Sequence, residues 1–247
     1  MAINSDEQQN AALSWTKALT KNKEIVAENS NRLIPRGSKL NLKNPPRIKR
    51  KLSAWKGRTD RQAFWLQHNQ IKKTLPGEAG EIFDELKMAR AEILGSEEYS
   101  GAKLNIQNFS SDITKNLTDD EIQLPTLINL WFKNLNGFKL DKEQKRLIDQ
   151  IPNINSRNAQ KISEDMISKI KNEESFLKSS LSLLDALKLL EHEKSDEHEE
   201  NEKFDEQSDE NEESLSDDMS EIESDEESNN EIAVSYTHLT LPTRTRV

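Results

Sequence analysis

The sequence has no cysteine, which excludes disulfides and thiolate metal sites. No run approaches the roughly 18 apolar residues of a membrane span, and no signal-peptide pattern opens the chain. The expectation is a soluble, cytoplasmic protein that touches no membrane. The phosphate-cradling pattern GxxxxGK[ST] is missing, as is any nucleophile–base pair. Aromatic residues are few. All four tryptophans (Trp15, Trp55, Trp65 and Trp131) fall in the first part of the chain, which suits a modest core confined there.

Charge is abundant and unevenly placed. The net charge is −10 over 247 residues. Residues 191–231 carry 21 acids against two lysines, while residues 1–190 carry a net +7. A basic helical domain over 1–190 is thus joined to an acidic stretch over 191–232. The acidic stretch has almost nothing apolar with which to offset its ordering entropy, so it is expected to be disordered. Residues 233–247, ending SYTHLTLPTRTRV, change character abruptly. They look like adapter read-through, a non-native tail on a fragment whose natural chain would continue.

The chain is organised around the stretch from Gly80 to Asn105. Ile82, Phe83, Leu86, Ala89 (or Arg90) and Ile93 recur at three- and four-residue steps and predict one apolar helical face. Glu78 and Glu81 suit the helix start, and Gly95 suits its stop. Glu85, Arg90 and Glu92 read as a mixed-charge, solvated side. Glu81 and Glu85 share a stripe and repel mildly unless a neighbouring helix supplies a cation.

Taken in order, residues 6–22 predict a helix with Ala12, Trp15 and Leu19 on one face. The runs KEIVA and RLI, split by Asn29-Ser30-Asn31, suggest a small β-hairpin that Lys39–Leu42 could extend. Arg36 to Arg58 holds nine basic residues and no acid, with Pro45-Pro46 blocking a continuous helix. A phosphate or nucleic-acid surface fits less well than a solvated basic face or a docking patch for the chain's own acidic tail, because no nucleic-acid motif accompanies the charge. A helix is predicted from Gly57 to Lys73. His68, the sole histidine of this part, reads as packed or solvated because a metal site would need partners. Residues 96–118 read as polar and irregular. Pro125 opens a helix with Leu127, Leu130, Trp131 and Leu135 on its apolar side, ended by Gly137. A short helix spans Lys142–Gln150, and a last long helix, capped by Ser156 or Asn155, runs to about Leu190. The fold class is mainly α.

Phe83-Asp84, then Ala89-Arg90-x-Glu92-x-x-Gly95, then Gly101 and Asn105, resemble the N-terminal region of the CobT subunit family of aerobic cobaltochelatase. Gly57-x-x-Asp60 with His68, and the Leu130-Trp131 pair, match further family stretches. The sequence departs from the family pattern at Lys87 and Ala91. The resemblance implies a helical domain and acidic linker, in a family that continues into an adhesion-type metal-binding domain. The Asp-x-Ser-x-Ser signature of that domain does not occur here. It implies a non-catalytic adaptor that binds no cofactor itself. Its partners would be a CobS-like AAA+ ATPase and a large CobN-like chelatase subunit, the complex using ATP to insert cobalt into hydrogenobyrinic acid a,c-diamide. Gly57, Asp60, His68, Phe83, Asp84, Arg90, Glu92, Gly95, Asn105 and Trp131 are then candidate structural or partner-contact residues, with Gly57 and Asp60 at an N-cap. The alternatives from the residues alone are a basic binding module with an acidic tail, chaperone-like or nucleic-acid-associated, and a magnesium-chelatase D-type subunit. The latter usually begins with an ATPase domain that is missing here.

Overall fold

In the computed structural model, which describes residues 4–48, 51–115 and 122–190, Asn4 opens the first helix. Its side chain accepts from the Asp6 and Glu7 amides. This helix, α1, spans Ser5–Thr20. Two short strands follow, β1 (Val26–Asn29) and β2 (Lys39–Leu42). They pair in parallel, Val26 opposite Lys39 and Asn29 opposite Leu42. The expected hairpin is therefore corrected. Residues 30–38 carry the chain back to the same end of the pair, as a parallel ladder requires, and Arg32-Leu33-Ile34 is not a strand. The pair is fastened by tertiary contacts that no local pattern encodes. The Gln62 side chain both accepts from the Asn41 amide and donates to its carbonyl, and Arg58 donates to the Ser30 and Arg32 carbonyls.

Helix α2 spans Leu52–His68, starting and ending about one turn before the expected bounds. Gly57 and Asp60 consequently lie inside it and not at a cap. The central helix, α3, spans Gly77–Glu98 and passes through Gly95 without stopping. Its predicted face is fully buried, Ile82, Phe83, Leu86 and Ala89 having no exposure. Its other side is not solvated as expected: Lys87, Arg90 and Glu92 are buried too. The cause is packing on several sides, with α2, α5 and α8 all against it.

Residues expected to be irregular form α4 (Ser100–Lys115), which lies along α2. Its Ala102, Ile106 and Phe109 are buried at helical spacing. Helix α5 (Leu124–Leu135) has Pro125 in its first turn, one residue after its start, and ends before Gly137 as read; Leu127, Leu130 and Trp131 are buried, but Leu135 is exposed. Helix α6 (Lys142–Ile148) has a reciprocal Asp141–Gln144 capping box. The expected long last helix is two: α7 (Arg157–Ser168), capped by Ser156, and α8 (Glu173–Ala186), capped by Asn172. The new cap and the acids behind it restart the helix and fold α8 back on α7.

The core is one large cluster over α2–α8 and a small one of Ile25, Leu40 and Leu42 under the strands. No helix among the described residues is long and apolar enough to cross a membrane. The acidic stretch 191–232 and the tail 233–247 lie outside the described residues.

Candidate functional site

The residues singled out in the sequence gather at three places. The first is the crossing of α2 and α4. A Cβ at Gly57 would lie 2.0 Å from the Asn105 carbonyl oxygen, so only glycine permits this approach. One turn on, the Asp60 carboxylate accepts from Asn105 Nδ2 at 2.9 Å. Asn105 Oδ1 in turn accepts from Ser53 Oγ at 2.9 Å. Burial raises the Asp60 carboxyl to about 6, against the pull of the Asn105 hydrogen bond and of Lys56. Gly57, Asp60 and Asn105, read from separate motifs, thus form one contact.

The second place joins the end of α2, the later half of α3 and the turn from α7 into α8. Arg90 donates through Nε to the Ile170 carbonyl at 2.8 Å and through Nη1 to the His68 carbonyl at 2.9 Å, with Phe176 beneath its guanidinium. The His68 ring packs near Phe64, and burial holds its pKa below the usual imidazole range. Gly95 admits the Phe64 ring; a Cβ there would fall 2.2 Å from it. Phe64 also meets Trp15 and Tyr99. His68 and Arg90 therefore hold helices together.

The third place is a buried ion cluster between α2, α3 and α5, of which Glu92 is a candidate residue and Glu85 is the acid expected to need a cation from a neighbouring helix. Arg61 Nη2 donates to both Glu85 oxygens at 2.8 Å. Arg61 Nε lies 3.5 Å from Glu92 Oε1, and Lys133 Nζ lies 2.8 Å from Glu92 Oε2. Asn129 donates to the Glu85 carbonyl and to Glu92, and Lys133 donates to Ser110 Oγ. Two cations and two anions cancel inside the core. Burial pushes the Lys133 ammonium down against the pull of Glu92, and pushes the Glu85 carboxyl up against Arg61. Arg61 is the cation that relieves the Glu81–Glu85 stripe. A signal did exist in the sequence: Glu85 and Glu92 stand two turns apart, beside the apolar stripe and not opposite it.

Of the remaining candidates, Phe83 is core. Asp84 pairs with Lys87 at 3.2 Å, so the departure at Lys87 creates an ion pair within α3. Trp131 is buried against Phe132. Among the described residues, no three His, Cys, Asp or Glu side chains are placed to hold a metal ion.

An open groove of about 1150 Å³ runs between the crossover loop at 32–38, the segment after α2 and the first turns of α3. A cavity of about 20 Å³, room for one water, lies behind it, and Glu85 borders both. The family model described as "Cobalamin biosynthesis protein CobT" matches residues 4–238, across the whole described domain, all of the acidic stretch and the first six residues of the tail. No curated protein and no solved structure matches the chain. With nearly the full length matched, and with the residues of the family-like motifs meeting at shared contacts, the chain belongs to the CobT family and takes part in cobalamin biosynthesis.

Proposed function

We propose that this chain is the non-catalytic adaptor subunit of an ATP-dependent cobaltochelatase, which inserts cobalt into hydrogenobyrinic acid a,c-diamide. The observation that carries the reading is the family match over residues 4–238. The structure supports it in a specific way. The buried cations of the described domain are engaged by acids or by backbone carbonyls: Arg61 and Lys133 by acids, Arg58 and Arg90 by carbonyls, and Lys87 by one of each. Such groups fix helices to one another, as suits a scaffold whose work is done at its surface. Cobalt and ATP would then be handled by the complex, with a CobS-like AAA+ ATPase and a CobN-like large subunit as partners. The acidic stretch would act as a solvated spacer between binding units.

The test is a pull-down of the chain against the AAA+ ATPase, with and without ATP, at two salt concentrations. Cobalt insertion by the reconstituted complex is measured in parallel. Capture that depends on nucleotide and survives moderate salt is the expected result. Undiminished cobalt insertion when the chain is omitted would overturn the reading.

A further inference from the structure

The groove is built from both sides before any ligand arrives. Its crossover wall is held from behind by Arg58, whose guanidinium donates to the Ser30 and Arg32 carbonyls at 2.9 and 3.0 Å. The irregular segment along its floor is held by α8. The Glu173 carboxylate accepts from the Gln70 amide at 3.0 Å and from the Ile71 amide at 3.1 Å. Lys87 Nζ donates to the Lys73 carbonyl at 3.2 Å while lying 4.9 Å over the Trp65 ring. A surface with its backbone fixed this way loses little entropy on binding.

The charges in the groove divide sharply. Asp84 is taken by Lys87 and Glu85 by Arg61. Arg32, Arg36 and Lys72 line the same groove, are exposed, and their side chains make no hydrogen bond or ion pair among the described residues. Of the acids lining it, Glu81 alone has no partner among the described residues. The balance is a cationic rim above an apolar floor of Trp65, Leu66 and Ile71.

We propose that this groove binds an extended acidic peptide segment of a partner protein. One apolar side chain sits on Trp65 and Ile71, and flanking carboxylates pair with Arg32, Arg36 and Lys72. The volume exceeds the roughly 300–1,000 Å³ of small-molecule sites and suits several residues of chain. A nucleic acid fits less well. It carries a charge at every phosphate and would set some of them against Glu81 and Asp84, whereas a peptide can keep its acids on the cationic side. The inference stands on the groove and does not depend on which complex the chain joins.

The probe is a fluorescein-labelled peptide with glutamates alternating around one phenylalanine, titrated into the full chain and read by anisotropy. Binding should saturate, weaken with salt, and fall about tenfold or more in the Arg32→Glu, Arg36→Glu double variant. Melting by circular dichroism should match the parent, because these side chains bond to nothing. Should the double variant melt early, Arg36→Gln with Lys72→Gln gives the same reading. A photo-crosslinking phenylalanine analogue at the peptide centre should label the segment around Ile71. A peptide with lysines in place of glutamates should not bind. The proposal is overturned by absence of saturation, by binding indifferent to both sets of variants, by labelling away from the groove, or by equal or tighter binding of oligouridylate.

Discussion

Asp60 is a carboxyl kept in surroundings that favour its neutral form. Its ordinary value of 3.8 rises to about 6 in the fold. Its favourable contribution is thus complete below about 3.8 and is lost as the pH climbs through about 6. Above that, ionisation of this one group costs on the order of 3 kcal/mol. Asp60→Asn keeps an acceptor for Asn105 and cannot ionise. It should raise stability to denaturant by about 1–3 kcal/mol near pH 8, and by much less near pH 4. Equal gains at the two values would show that ionisation of Asp60 is not the cause. The ion cluster behaves in the opposite sense, because its members are already balanced. Glu92→Gln leaves Lys133 and Arg61 sharing Glu85, and should cost about 3–5 kcal/mol. Replacing Glu92 and Lys133 together by leucine should recover much of that loss, which urea titration of the single and double variants measures. Simple addition of the two single effects would mean that the pair is not coupled.

At the scale of elements, the close approach of α2 to α4 at Gly57 is a tight constraint. Gly57→Ala gains up to about 1 kcal/mol of helix propensity, but its methyl meets the Asn105 carbonyl, a backbone atom that cannot step aside. The α2–α4 crossing has to open. The expected net result is a loss of about 1–3 kcal/mol by chemical denaturation, and a neutral substitution would show that the helices are further apart. The same crossing illustrates what the sequence could tell. The face of α3 was legible because Ile82, Phe83, Leu86 and Ile93 keep helical spacing through a long run. Helix α4 was not, because Ala102, Ile106 and Phe109 are spread among serines and asparagines that resemble a loop. The break between α7 and α8 was signalled by Asn172-Glu173-Glu174, a helix start hidden inside a continuous apolar drift. The parallel strands had no local signal, since Gln62 and Arg58, which fasten them, lie on another element. The site shows the same division. Gly57, Asp60 and Asn105 could be named from motifs, but their contact could not. Arg61 and Lys133 were missed because a lone charge in a helical pattern reads as solvated until its partners are in place.

Across the whole described domain, stability is not evenly shared. The strands rest on a small cluster of Ile25, Leu40 and Leu42, with Ala12, Leu13 and Leu66 against it, while α3 stands in the large core. Hydrogen exchange should therefore find the amides of Val26–Asn29 opening well below the global unfolding free energy, and those of Leu86–Ile93 opening only with it. Uniform protection over both segments would show that the strands unfold with the core. The groove's floor is held from much further along the chain. Glu173, which grips the Gln70 and Ile71 amides, lies 103 residues beyond Gln70. Translation delivers the amino-terminal end first. While the ribosome adds the residues between Gln70 and Glu173, those two amides have no carboxylate to meet. A nascent chain thus displays the crossover wall early and acquires its finished groove only when α8 has cleared the exit tunnel.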